Sequence, residues 1–422
     1  MATWQNKRRT LLCGLCLVLA MCACVASAGA QTTNNCLVCH GALDPPFQVT
    51  EDQFSHDIHS QKGLTCASCH GGDPGRADMD AMSKAAGFRG HIERSQIPEF
   101  CGRCHSDAAF MRQYNPSLRT DQLAQYKTSV HGQRLAKGDT KAAVCIDCHS
   151  VHDLRPASDP KSRVNPLNIA DTCSRCHSDT AYMKPYSIPT DQSVKYKLSV
   201  HHQAMVDRGD LSAPTCSTCH GNHGAAPPGV GSVANVCATC HVFQAQMYDK
   251  SSHGEVFRAA GLPGCVVCHS NHDVRHPTDA KLGTGPEGVC MQCHSPGDSC
   301  DQARAKMLAD LTQLDDAIKN ANSVLAVAES SGMEVSEARL GQDQARDSLT
   351  KARVTIHAFQ PKLVEQDIQA GMKIAATDLQ AGKDALKERD YRRWGLGVSV
   401  CFIVIVLIGL RLYLREIEAP SK

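Results

Sequence analysis

Apolar residues recur at alternating steps of three and four along residues 302–329, at Met307, Leu311, Leu314, Ile318, Ala321, Leu325 and Ala328. That spacing lines one face of an amphipathic helix with a coiled-coil-like seam. Ser330, Ser331 and Gly332 interrupt it, and it resumes at Ala345, Leu349, Ala352, Ile356 and Phe359. Pro361 marks a second break, after which Ile368, Met372, Ala375, Leu379 and Leu386 continue the pattern. Residues 301–391 therefore read as three amphipathic helices in a bundle or hairpin, packed on themselves, on the rest of the chain or on a second copy. Residues 394–414 are almost uncharged and long enough to cross a bilayer, with Trp394 and Tyr413 at the two interfaces. Basic residues flank both ends, so charge alone does not orient this span. At the other end, Lys7, Arg8 and Arg9 precede an apolar run from Leu11 to Val25 and an Ala28-Gly29-Ala30 cleavage pattern. Residues 1–30 read as a secretory signal peptide, with an uncleaved anchor or lipidation at Cys24 as alternatives. Export of the body leaves residues 415–422 as a cytoplasmic tail.

Between these ends the hydrophobic pattern fails. Residues 31–300 have few long apolar runs, and aromatics are only 5% of the chain, so a segment of this size would bury a poor core by itself. What recurs instead is Cys-x-x-Cys-His, nine times. The cysteine pairs are Cys36 and Cys39, Cys66 and Cys69, Cys101 and Cys104, Cys145 and Cys148, Cys173 and Cys176, Cys216 and Cys219, Cys237 and Cys240, Cys265 and Cys268, and Cys290 and Cys293. Each pair is followed by a histidine: His40, His70, His105, His149, His177, His220, His241, His269 and His294. Two cysteines at this spacing can each form a thioether to a haem vinyl group, and the adjacent histidine then ligates iron from the proximal side. A disulfide framework would account for many cysteines in an exported chain. It would not account for a histidine after every pair. The sequence predicts nine covalently bound haem c groups that form most of the core. The fold class is mainly α with extensive loops, followed by the helical bundle and one transmembrane helix.

The segment also repeats. Cys101–Met111 and Cys173–Met183 are near copies, each followed by a turn and then Tyr126-Lys-Thr-Ser-Val-His131 or Tyr196-Lys-Leu-Ser-Val-His201; Tyr248–His253 is a third version. The next motif begins 12 to 15 residues on and carries a further histidine three places after its own: His152, His223 and His272. A second motif closes each unit. A degenerate first unit, about 54–115, contains His56, His59 and His91 but has Gly71, Gly72 and Asp73 after its first motif. The arrangement reads as one leading haem and four two-haem units.

The second axial ligand decides what each iron can do. Two histidines fill the coordination sphere and leave an electron carrier; an open position permits catalysis. Eleven histidines outside the motifs lie between residues 31 and 294, enough for nine irons. His131, His201 and His253 share a Ser-x-His context, and His152, His223 and His272 share the +3 position. With His56, His59 and His91 they are the expected distal ligands. His202 and His276 are spare, His357 reads as a surface or interhelix residue, with haem ligation as the alternative if the bundle folds back, and Cys300 has no assigned role.

These features resemble the multihaem c-type cytochromes of bacterial respiration. The helical, anchored C-terminal segment looks more loosely like the group of pentahaem nitrite reductases and octahaem hydroxylamine oxidoreductases. The resemblance implies haems packed in parallel and perpendicular pairs. No Cys-x-x-Cys-Lys is present and nine haems match neither enzyme, which favours a carrier over a catalyst. The expectation is a protein anchored in the bacterial inner membrane with its haem domain in the periplasm. It would take electrons from the quinol pool or a quinol-oxidising partner and pass them to periplasmic redox proteins or outer-membrane acceptors. The alternative is an oxidoreductase with one five-coordinate haem acting on a small nitrogen or sulfur compound. A formal net charge of +1 gives no basis for a nucleic-acid partner.

Overall fold

The computed structural model describes residues 34–227 and 230–418, so the expected signal peptide lies outside them. The described residues are mainly helical and contain no strand. The described residues form two compact units, one over residues 34–173 with His223–Ala225, the other over Ser174–Asn222 with residues 226–227 and 230–418.

In the first unit short helices alternate with loops, and the helices rarely exceed two turns. Its buried apolar cluster is small: Leu135, Ala142 and Val144, with Ile97, Tyr126 and Ile146 against them. This is the poor self-made core that the composition predicts.

The second unit contains similar short helices and then three long ones, Ser299–Ser330, Ser336–Thr355 and Pro361–Ile417. Short connections at 331–335 and 356–360 make consecutive helices antiparallel neighbours. Most of the seam predicted from the three-four spacing is core: Leu311, Leu314, Leu325, Ala345, Ala352 and Ile368 are fully buried, as is Val364 outside the predicted set, while Ile356, Phe359, Met372, Leu379 and Leu386 are only partly buried. The bundle also packs on the haem-motif segment of its own unit. Leu282 joins its core, Arg304 Nη1 donates to the Leu282 carbonyl at 2.8 Å, and Arg353 grips Asp279 with two hydrogen bonds of 2.9 and 2.8 Å.

One boundary differs from the sequence reading. The third amphipathic helix and the apolar span form a single helix of 57 residues. No proline or glycine stands between Leu386 and Trp394, and Lys387–Arg393 contains good helix formers. The apolar stretch near its end is wholly exposed, and this is a helix long and apolar enough to cross a membrane.

Candidate haem-binding sites

Each motif sits in a helical turn or at the end of a helix. Cys66–His70, Cys145–His149, Cys216–His220 and Cys265–His269 are single five-residue turns. The motifs ending at His105 and His177 finish nine-residue helices. Helical spacing puts residues three apart on one side, so both cysteines face the same space with the histidine beside them.

The four isolated turns end alike. The residue after the histidine has positive φ in each: Gly71, Ser150, Gly221 and Ser270, at 71°, 72°, 80° and 64°. Ser150 and Ser270 have ψ of −177° and −176°, a region nearly reserved for glycine. The distal candidates His152 and His272 follow with φ of 62° and 57°. Such strain, of order 1–3 kcal/mol per residue, persists where surrounding structure fixes it. It turns the chain sharply, so that the +3 histidine leaves its own motif. Ser150→Gly is therefore expected to stabilise the protein by about 1 kcal/mol, read as a higher thermal midpoint with an unchanged visible spectrum.

The Ser-x-His histidines have a different local cause. Ser129, Ser199 and Ser251 are buried N-caps whose hydroxyls accept from the backbone N–H three residues on, at 3.0, 3.1 and 3.1 Å. The hydroxyls of Tyr126 and Tyr196 hold the segment to the Ala143 and Pro214 carbonyls at 2.8 and 3.0 Å. The first unit has the same turn in other residues. Asp57 N donates to Phe54 O at 3.1 Å, as Ser129 N does to Tyr126 O at 3.0 Å. Asp57 stands for the serine and Phe54 for the tyrosine, so His59 is the equivalent of His131, His201 and His253.

Among the described residues at least seven motif histidines face a histidine from elsewhere. In the first unit His59 faces His105, His152 faces His70, and His223 faces His149, with ring centroids 6.0, 6.2 and 6.0 Å apart. In the second unit His201 faces His241 at 6.4 Å, His272 faces His220 at 6.0 Å, and His253 faces His294 at 5.9 Å. His357, which the sequence reading left out of the ligand set, faces His269 at 6.0 Å. Two iron–nitrogen bonds of about 2 Å each, with the ring radii added, place two axial imidazoles about 6 Å apart. The pairs leave the space an iron needs.

The pairs obey a rule. A histidine of the Ser-x-His type faces the motif that closes its own unit: His59 with His105, His201 with His241, His253 with His294. A +3 histidine faces the first motif of the preceding unit: His152 with His70, His223 with His149, His272 with His220. The first unit has no preceding two-haem unit, which accounts for Asp73 at its +3 position. Although Gly71 and Gly72 stand where the other units continue toward a +3 histidine, the His70 ring is faced by His152. The two glycines mark a tight fold, since a Cβ on either would lie 2.1 Å from Gly87 O or 2.7 Å from Ala81 O.

The expected ligands are not all placed alike. His131 occupies the common register in the helix Val130–Ala136. His56 has its Nδ1 on the Asp52 carbonyl at 2.8 Å, and the His91 side chain is 82% exposed. Among the described residues neither shows the 6 Å spacing to a motif ring, and no ring shows it to His40. His40 itself donates from Nδ1 to the Phe47 carbonyl at 2.9 Å. His202, taken as spare, packs edge-on against Tyr196.

The electrostatics suit metal binding. Burial, then the facing His223, lowers the His149 pKa to about 4; burial, then His357, does the same for His269. These rings are held neutral, the form that ligates metal. Consecutive motifs also adjoin within each unit. The thiols of Cys101 and Cys145 share a hydrogen bond, as do those of Cys237 and Cys265. Burial raises the Cys36, Cys69, Cys219 and Cys268 thiols, and neighbouring Cys66, Cys104, Cys240 and Cys293 add to that. The first four motifs thus form a row in the first unit, and the last four form a row in the second. Haem c fits these residues: paired cysteines for the vinyl groups, and neutral imidazoles on two sides of an iron-sized gap.

Residues 58–178 match the family model described as cytochrome c3. They span four of the nine motifs. No curated protein and no solved structure matches the chain. The match supports a multihaem c-type cytochrome, with haem c bound covalently and electron transfer as its class of activity.

Proposed function

We propose that this chain is a membrane-anchored nine-haem electron carrier. It takes electrons from the quinol pool or a quinol-oxidising partner at the bacterial inner membrane. It relays them to periplasmic redox proteins or outer-membrane acceptors. The observation that carries this reading is the set of seven facing histidine pairs at 5.9–6.4 Å. Haem c, when bound, supplies a one-electron couple whose potential its axial ligands set, and two histidines leave no position for substrate. The proximal residues are His40, His70, His105, His149, His177, His220, His241, His269 and His294, each beside its own cysteine pair. The pairs support His59, His152, His201, His223, His253 and His272 as distal ligands, and its register supports His131. The contiguous rows of motifs support conduction from site to site. The exposed apolar end of the last helix supports a single anchor, with signal-peptide-directed export leaving the haem domain in the periplasm.

A second reading has one observation behind it: no ring faces His40 at ligand spacing among the described residues. His40 belongs to the leading motif, and no Ser-x-His segment precedes it in the sequence. An open site there would make the chain an oxidoreductase for a small nitrogen or sulfur compound. One set of measurements separates the readings. The full-length protein from membranes is expected to carry the mass of nine haems, to be reduced by a quinol in those membranes, and to give only low-spin ferric signals. A mass short of nine haems overturns the attachment. A high-spin haem in intact protein, abolished by Cys36→Ala with Cys39→Ala, favours the second reading.

A further inference from the structure

We infer that His357 is the distal iron ligand of the haem attached at Cys265 and Cys268, so that the corner of the C-terminal hairpin is part of the haem-binding structure. The inference deepens the haem reading above and rests on it.

The pairing rule creates the need. The first motif of each unit receives its distal histidine from the unit that follows. The last unit, which holds His269 and His294, has no successor, because the motifs stop at His294. By the rule His269 should lack a partner. His357 is there instead, with ring centroids 6.0 Å apart and planes 16° from parallel. The His220–His272 pair, built from a true +3 histidine, has the same spacing and planes 12° apart. The substitute reproduces the geometry of the repeat from an unrelated segment.

The corner is shaped for this. The second long helix tightens into a single turn at Ile356–Ala358, and Phe359 then takes a left-handed conformation with φ of 53°. His357 Nδ1 donates to the Val354 carbonyl at 2.9 Å, which leaves Nε2 with its lone pair toward His269. Thr355 Oγ1 donates to Asp367 Oδ2 at 2.7 Å, and Lys351 pairs with Asp367 at 2.8 Å, tying the two arms together. Two residues on, the Phe359 ring stacks on His253 at 3.9 Å. His253 in turn faces His294. One corner therefore reaches the last two sites: it supplies a ligand to one and packs the ligand of the other. A helix hairpin with no site role would have no use for a half-buried histidine and a strained phenylalanine at this turn.

The test uses the full-length, haem-loaded protein. His357→Ala is expected to keep its haem mass and to gain one high-spin ferric haem per chain, a signal that added imidazole removes. His276→Ala, at an exposed ring that belongs to no pair among the described residues, is expected to match wild type. A His357→Ala protein with unchanged low-spin signals overturns the inference. Should His357→Ala fail to accumulate, His357→Met keeps a ligand and similar bulk; a thioether in place of imidazole raises the potential of a haem. One haem of the redox titration is then expected to shift upward, and an unshifted titration overturns the inference. Wild-type protein without covalent haem sinks the underlying reading. Loaded wild type with a silent His357→Ala sinks this inference alone.

Discussion

Replacing Asp57 by alanine is expected to disturb two haem sites at once and to cost about 3–5 kcal/mol of stability, the range for losing one partner of a buried charged network. Asp57 is 3% exposed. Its Oδ1 accepts from His59 N at 2.8 Å and His59 Nδ1 at 3.1 Å, and its Oδ2 accepts from Leu154 N at 3.0 Å. Burial pushes its carboxyl pKa up, but hydrogen bonds from His59 and Leu154 outweigh this and hold it below the ordinary range. It is a carboxylate, and each of its partners leads to a histidine proposed as a distal ligand. His59 faces His105. Leu154 lies two residues after His152, which faces His70, and the Ile58 N–H binds the Leu154 carbonyl at 2.7 Å. The alanine variant leaves the His59 and Leu154 N–H groups without an acceptor and frees both histidines. The expected readout is a lower unfolding midpoint together with high-spin signal from two haems. Asp57→Ser is the discriminating control. Serine caps this turn in the other three copies through the N–H three residues on, so it should keep an N-cap, now to the Ser60 N–H, and lose the link to Leu154. A milder fall in stability, with the perturbation confined to the haem at Cys66 and Cys69, is expected. An alanine variant that unfolds and ligates like wild type would show that Asp57 pins neither segment.

How much of this was legible beforehand follows from the range of each interaction. The bundle seam repeats every three or four residues, and Leu311, Leu314, Ala345 and Ile368 are buried as that period requires. The join of the third helix to the apolar span was missed because composition changes there while helix propensity does not. The motifs and the +3 histidines recur and so stand out. The first copy of the capped turn does not, because Asp57 replaces serine and Phe54 replaces tyrosine. Cap chemistry was the available signal, since aspartate and serine cap helices for the same reason. Pairing was out of reach, because no local period tells His152 to face His70 rather than its own motif. His357 was hidden most deeply. It occurs once, in a segment of different composition, and only the pairing rule exposes the vacancy it fills.

Leu314→Ala is expected to destabilise the hairpin by about 3–5 kcal/mol, the cost of a buried cavity of this size. Leu314 is fully buried. It lies against Gly371 of the third long helix, where an added Cβ would come within 2.7 Å of Leu314 Cδ2. The glycine admits the leucine, and cutting the leucine back leaves that space empty. The loss should spread along the bundle's attachments, because the core around Leu314 includes Leu282 of the motif segment, and the same hairpin holds His357 opposite His269. On heating, the variant should therefore show high-spin character at one haem before the others lose their ligands, while helical circular dichroism falls in step with that first change. Leu340→Ala, at a site 62% exposed on the second long helix, should leave both signals close to wild type. If the Leu314 variant instead loses helicity first and all haems keep two ligands until a later, common transition, the hairpin folds without holding any haem. If neither midpoint moves, the seam is not where the bundle draws its stability.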